Sequence, residues 1–175
     1  MQAFFQLFIC FAVQQFVLFD FNKDADMRNW NVVDDGVMGG LSAGRLRINE
    51  AGHAAFTGTV SLENNGGFSS LRYYFKPLET SSQSKFLIRL KGDGKNYQFR
   101  VKSRANEYYS YICDFKTSGD WQTIEIPFDI LYPSFRGRTL NMPNYPGKQL
   151  GEIGFLIGNK KEESFRLELD KIMIE

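Results

Sequence analysis

Gly92-Asp93-Gly94-Lys95-Asn96-Tyr97-Gln98-Phe99-Arg100-Val101-Lys102-Ser103-Arg104 decides the fold class. Tyr97, Phe99 and Val101 alternate with Gln98, Arg100 and Lys102. A period of two puts the apolar side chains on one face of an extended strand and the polar ones on the other. The glycines around Asp93 predict a hairpin that joins a strand over 85–90 to one over 96–104. The same period recurs on either side. Leu46 and Ile48 alternate with Arg45 and Arg47. Tyr109, Tyr111, Cys113 and Phe115 alternate with Ser110 and Asp114, although Ile112 breaks the pattern. Ile124 and Ile126 alternate with Thr123 and Glu125, and Phe165, Leu167 and Leu169 with Arg166, Glu168 and Asp170. Phe16-Val17-Leu18-Phe19-Asp20-Phe21 is an apolar run suited to a core strand. Asn64-Asn65-Gly66-Gly67 marks a turn between strands over 57–62 and 68–75. No stretch holds helical spacing over three turns. The fold class expected is all-β, a sandwich of two antiparallel sheets in one domain over 16–175, behind an apolar N-terminal segment over 1–15.

The composition bounds the function. The chain has 175 residues, 43% of them hydrophobic, enough to bury a core without disulfide or metal staples. A formal net charge of +1 gives no whole-molecule field for nucleic acid or an anionic membrane surface. The single histidine, His53, rules out a histidine-based metal cluster and reads as a turn residue entering a strand. Cys10 and Cys113 lack the spacing of a zinc or redox pair and read as free thiols. No metal and no cofactor is expected. The apolar stretch ending at Val13 is too short for a confident membrane span, and no transmembrane segment is expected. It is similar to the apolar core of a secretory leader, yet no Lys or Arg precedes Lys23. A mitochondrial presequence would carry arginines, so the cytoplasm or export is expected instead, with cleavage after the leader left open.

Two clusters stand out as candidate chemistry. In Asp34-Asp35-Gly36-Val37-Met38-Gly39-Gly40-Leu41-Ser42, the glycines allow tight turns that expose N–H groups, and two carboxylates precede them. The spacing fits neither a dinucleotide fingerprint nor a phosphate loop. Adjacent residues of an extended chain point to opposite sides, so Asp34 and Asp35 do not form a facing acid pair. A glycosidase pairing either of them with Glu63 or Asp93 needs a fixed carboxylate separation that sequence does not supply. No catalytic residue is assigned, and the chain is not expected to be an enzyme.

The second cluster is Glu63-Asn64-Asn65-Gly66-Gly67-Phe68-Ser69-Ser70-Leu71-Arg72. Phe68, Ser70 and Arg72 share one face of a strand. On a solvated face they form a small platform for a polar ligand or peptide. The favoured reading instead makes Phe68 core and pairs Arg72 with Asp34 or Asp35. Gln98, Arg100, Lys102 and Arg104 form a basic stripe, read as an outward polar face. The proline-bearing segment 128–150 reads as a loop over a sheet edge and carries Arg136 and Arg138. The candidate ligand- or partner-binding set is therefore Asp34, Asp35, Met38, Asn64, Asn65, Arg72, Asp93, Tyr97, Arg136 and Arg138.

An ordered series of motifs resembles the complex I intermediate-associated protein 30 family. It runs through Trp30-Asn31-Val32-Val33-Asp34-Asp35-Gly36-Val37-Met38-Gly39-Gly40-Leu41-Ser42, Phe56-Thr57-Gly58 and Gly66-Gly67-Phe68-Ser69-Ser70-Leu71-Arg72. It continues through Lys91-Gly92-Asp93-Gly94-Lys95-Asn96-Tyr97, Trp121-Gln122-Thr123-Ile124-Glu125-Ile126-Pro127-Phe128, Phe135-Arg136-Gly137-Arg138 and Phe165-Arg166-Leu167-Glu168-Leu169-Asp170-Lys171-Ile172. The resemblance covers residue 16 to the end. It implies a jelly-roll sandwich of the galactose-binding type and a non-catalytic role. Mitochondrial members are assembly factors for respiratory complex I that act by binding protein partners. Plant relatives join the domain to a dinucleotide-binding domain and act in chloroplast RNA translation. No such fused segment is expected here, and the chain looks like a compact bacterial-type member. The function expected is a binding module for a protein partner, such as a subunit of a membrane complex. The alternative is a carbohydrate-binding module in which exposed tyrosines such as Tyr97, Tyr108 or Tyr109 stack on a pyranose ring.

Overall fold

Strands that are apolar on one face only are stable when two sheets close those faces on each other. The computed structural model describes residues 15–175 in that arrangement. The segment 1–14, with Cys10, lies outside the described residues, as do the side chains of Val37 and Met38. The strands are β1 (Phe16–Asp20), β2 (Trp30–Asp34), β3 (Ala43–Ile48), β4 (Ala54–Val60), β5 (Ser69–Glu79), β6 (Lys85–Lys91) and β7 (Asn96–Lys102). They continue as β8 (Ser110–Lys116), β9 (Trp121–Pro127), β10 (Tyr132–Phe135), β11 (Arg138–Thr139), β12 (Gln149–Ile157) and β13 (Glu163–Ile174). Sheet I runs β3-β4-β13-β6-β9, with β1 also paired to β13. Sheet II runs β11-β10-β8-β7-β12-β5-β2. All pairings are antiparallel, and the chain passes repeatedly from one sheet to the other, as in a jelly roll.

The core lies between the sheets. Phe86, Phe99 and Phe155 are fully buried, with the Phe86 and Phe99 rings 4.9 Å apart and the Phe99 and Phe155 rings 5.4 Å apart. Burying each such ring contributes about 2–3 kcal/mol. The apolar residues of β7 face inward as its period requires, so Tyr97 is 1% exposed and unavailable for stacking on a sugar. Tyr109 packs against the core, and only Tyr108 of the three tyrosines is open, at 65% exposure.

The expected hairpin at Gly92-Asp93-Gly94 does not form. β6 pairs with β13 and β9 in sheet I, whereas β7 pairs with β12 and β8 in sheet II. The turn is a crossing between sheets. Local chemistry fixes a chain reversal but not the sheet that receives the next strand. The crossing packs against its neighbour from β8 to β9. A Cβ on Gly92 would overlap the Thr117 side chain, so only glycine fits there. The Thr117 hydroxyl donates to the Lys95 carbonyl at 2.9 Å and accepts from the Gly94 N–H at 3.1 Å. The turn at Asn64-Asn65-Gly66-Gly67 likewise leads from β4 in sheet I to β5 in sheet II. The segment 128–150 does cover a sheet edge, but as β10 and β11, which extend sheet II beyond β8.

Asp35 ties two crossings together. It is 1% exposed and accepts from the Ser42 N–H at 3.1 Å, the Ser42 hydroxyl, the Gly67 N–H at 2.7 Å and the Phe68 N–H at 3.2 Å. Ser42 lies on the path from β2 to β3, and Gly67 and Phe68 on the path from β4 to β5. The Ser42 hydroxyl also accepts the Ser61 N–H at 3.0 Å. Asp34 points inward with Trp30 and Val32; it accepts the Gly44 N–H at 2.9 Å and the Ser69 hydroxyl. Burial pushes the Asp35 carboxyl upward, but the Ser42 hydroxyl and the three N–H donors outweigh it and hold the group below the usual carboxylate value of 3.8. Its stabilisation is therefore complete above that value and is lost as pH falls through the lower folded value. Asp35→Ala orphans the buried Ser42 N–H and the half-buried Gly67 and Phe68 N–H groups and should cost roughly 3–5 kcal/mol, read by urea denaturation at pH 7. The cost should shrink as the titration is repeated toward acid. A loss below about 1 kcal/mol at pH 7 would refute the pinning role.

Candidate functional site

The outer face of sheet II carries three cross-strand rows. One runs Asn31, Arg72, Gly154, Arg100, Ile112 and Tyr132 across β2, β5, β12, β7, β8 and β10. Beside it on one side run Tyr74, Glu152, Lys102, Ser110 and Ser134. On the other run Val33, Ser70, Leu156, Gln98 and Asp114. These side chains alternate with the core set of the same strands, so they point away from the sandwich interior. Yet Ser70 is 0% exposed, Ser134 2%, Ile112 3% and Glu152 5%. Taller neighbours shade them. A Cβ on Gly154 would meet the Leu71 carbonyl oxygen at 2.8 Å, so crowding by the backbone of the neighbouring strand keeps this position glycine, with the Arg72 Cγ in ordinary contact at 3.6 Å. Buried Ser70, Ile112, Ser134 and Glu152 among half-buried Arg72, Tyr74, Arg100 and Tyr132 make this face a shallow, mostly polar trough.

Its charges are incompletely matched. Lys102 Nζ lies 3.4 Å from Glu152 Oε2, and both side chains are nearly buried. Glu152 Oε2 has no hydrogen-bond donor beyond that ion pair. Burial pushes the Glu152 carboxyl up, against the opposing pull of Lys102, Arg72 and Arg100. Arg100 donates to Gln98 Oε1 at 3.0 Å, and Arg72 Nε lies 3.4 Å from Ser70 Oγ. Among the described residues, neither guanidinium has a carboxylate within ion-pair distance. Burial and then the neighbouring Arg72 charge lower the Arg100 pKa. Asp114, at the exposed rim, accepts the Tyr132 hydroxyl at 3.0 Å, and burial and that bond raise the phenol's pKa.

The structure brings the two glycine-rich clusters together through Asp35 and scatters the other residues singled out by sequence. Arg72 does not pair with Asp34 or Asp35. In the register of β2 against β5, Arg72 opposes Asn31 and Asp34 opposes Ser69, so the arginine points outward and the aspartate inward. Phe68 is half-buried and lies outside the core cluster, beside Gly158, at the end of the outer face that carries Ser70 and Arg72. Asp93 accepts from Lys95 Nζ at 2.7 Å, the Arg166 N–H at 3.0 Å and the Tyr97 hydroxyl at 3.1 Å; it holds a crossing. Asn64 and Asn65 sit exposed at φ 53° and 61°, the left-handed geometry that asparagine tolerates. Arg136 stands over the Phe135 ring at 5.3 Å, and Arg138 is exposed on β11. His53 lies on the opposite sheet, its Nδ1 3.2 Å from Asp170 and its ring 4.5 Å from Trp121. The outward stripe Gln98, Arg100 and Lys102 is where the sequence placed it. Glu152 and Gly154 were missed. The signal was available in Glu152-Ile153-Gly154-Phe155, a period-two stretch with an acid and a glycine opposite large apolar residues.

Among the described residues no group of three or more His, Cys, Asp or Glu side chains is placed to hold a metal ion, and no helix is long and apolar enough to cross a membrane. Cys113 is a free, half-buried thiol.

The architecture defines a jelly-roll β-sandwich of the class found in carbohydrate-binding modules. Two solved structures of the family 11 carbohydrate-binding module from Clostridium thermocellum superpose with TM-scores of 0.66 and 0.68, at 20% and 17% identity, covering 93% of this chain and 96% and 95% of theirs. One is in complex with a β-1,3-1,4-mixed-linked tetrasaccharide. The chain belongs to the complex I intermediate-associated protein 30 family, whose model matches residues 19–169. It is 26% identical to mitochondrial complex I intermediate-associated protein 30 of Mus musculus over 89% of this chain, and 25% identical to that of Drosophila melanogaster over 91%. The chain spans 55% and 62% of the lengths of those relatives.

The outer-face geometry sets an order of stabilities. Glu152→Ala leaves the nearly buried Lys102 facing two arginines and should cost about 3 kcal/mol. Arg72→Ala removes an outward, unpaired guanidinium and should cost about 1 kcal/mol or less. Chemical denaturation of the two variants checks this, and a reversed order would refute the charge assignment.

Proposed function

We propose that this chain is a non-catalytic binding module that holds a protein partner against the outer face of sheet II. Membership of a family that includes complex I intermediate-associated proteins supports an assembly-factor-like role, with a membrane-complex subunit as partner. The observation that carries the reading is the half-buried pair Arg72 and Arg100 on an outward face, with no ion-pair partner among the described residues. Uncompensated guanidiniums beside tyrosines are the side chains that dominate protein interfaces. Of the acids that a catalytic reading would use, Asp34, Asp35 and Asp93 are engaged by N–H and hydroxyl donors of the chain itself, while Glu63 lies exposed between β4 and β5.

A second reading is a carbohydrate-binding module. It is favoured by Tyr74 and Tyr132, which flank the trough, and by the fold shared with modules of that class. An aromatic flank with hydrogen-bonding groups on the floor suits a sugar chain.

Immobilised chain is expected to retain specific membrane-complex subunits from detergent-solubilised native membranes. Gln98→Trp, which fills the trough, should abolish the retention while the fold, read by circular dichroism, is kept. Retention unaffected by that substitution would remove the outer face as the docking surface. Binding of oligosaccharides on a glycan array, with no protein retained, would replace the first reading by the second.

A further inference from the structure

The outer face has a specific electrostatic vacancy. Arg72 on β5 and Arg100 on β7 stand on either side of Gly154 of β12, in one cross-strand row. Two strand spacings put their Cα atoms about 10 Å apart, within reach of two long side chains converging on one group. Nothing on Gly154 stands between them. Lys102 is already neutralised by Glu152. Around Gly154 stand the cations Arg72, Arg100 and Lys102 and the carboxylate Glu152, with Asp114 and Lys116 further out on β8 and Arg104 just beyond the end of β7. Glu152 is matched to Lys102 and Asp114 is engaged by the Tyr132 hydroxyl, so the two guanidiniums are left without a carboxylate of their own and an anion completes the site. A guanidinium offers parallel N–H donors that match the two oxygens of a carboxylate. Ser70 and Gln98 accept from Arg72 and Arg100 at 3.4 and 3.0 Å and help to hold the two guanidiniums in place.

We infer that the trough between Arg72 and Arg100 takes a carboxylate, supplied by an Asp or Glu side chain of the protein partner that docks on this face. The inference rests on the reading that the outer face of sheet II is the docking surface. It adds the chemistry of the partner: an acidic residue at the centre of its footprint, in an otherwise uncharged segment. Glu152 and Asp114 lie close enough to act on Arg100 and repel a dianion more than a singly charged carboxylate. A neutral partner would leave both guanidiniums shaded from water and unpaired, which is costly.

Isotope-labelled full chain titrated with a short Glu-containing peptide tests this, monitored through backbone amides and the arginine Nε–H signals. Saturable shifts centred on Arg72, Arg100 and Gly154 are expected. The peptide with Gln in place of Glu should bind about tenfold more weakly or not at all. Arg100→Lys keeps the charge but loses the planar fork, and Arg72→Gln loses the charge; each should weaken the Glu peptide about tenfold, with the amide spectrum otherwise native. Equal binding of the two peptides, or no binding of either, would overturn the inference. Binding of trigalacturonate with none of the Glu peptide would also overturn it, by assigning the carboxylate to an acidic sugar. Its failure is separable from failure of the docking reading: partner retention lost in Gln98→Trp but unchanged in Arg100→Lys and Arg72→Gln would leave the face in place and remove only the acidic anchor.

Discussion

One buried carboxylate sets the geometry on which the rest depends. A jelly roll carries its chain from sheet to sheet through connections that have no ladder of their own, and their N–H groups must find acceptors elsewhere. Asp35 supplies that acceptor for two connections at once, from β2 to β3 and from β4 to β5. Asp34 adds a direct link from sheet II to β3 and to the start of β5. At other crossings Asp93 and Thr117 do comparable work for the paths from β6 to β7 and from β8 to β9. The acids of the glycine-rich clusters thus serve the scaffold, and the fixed sheet frees its outer face to carry groups chosen for something other than stability.

That outer face is built against the usual economy of a sandwich. A solvated sheet face normally shows well-hydrated or mutually paired charges. Here two arginines share a row without a carboxylate, around a glycine that removes any screen between them. The nearby Lys102 and Glu152 pair is nearly buried, where desolvation offsets much of its attraction. Such an arrangement is held in place by the surrounding fold rather than favoured by it. A partner docking as proposed would meet a preformed polar face on a rigid sheet, so little would have to be ordered on contact.

Much of the sandwich was legible in the sequence because a period of two is a local property. β3, β7, β9 and β13 lie where the alternation puts them, and the outward set of β7 is the stripe read from Gln98, Arg100 and Lys102. Tyr97 shares the parity of Phe99 and Val101, and its burial follows from that parity more surely than its exposure from being a tyrosine. The sheet assignment of successive strands was not legible. Gly92-Asp93-Gly94 has the composition of a hairpin turn, yet the decision between hairpin and crossing rests on long-range pairing with β13 and β12. The pairing of Arg72 with an aspartate failed for a related reason, since cross-strand register puts Arg72 and Asp34 on opposite faces. Register, not residue type, assembled Arg72, Arg100 and Glu152 into one trough from strands more than 25 positions apart in sequence.

The most direct measurement is native-state hydrogen exchange of the Ser42, Gly67 and Phe68 amides. If the Asp35 carboxylate locks the two crossings into the sandwich, these amides exchange only with global unfolding, at the rate of core amides in β12. Exchange of Gly67 and Phe68 through local opening, with the β12 amides still protected, would contradict the claim that this carboxylate holds the scaffold.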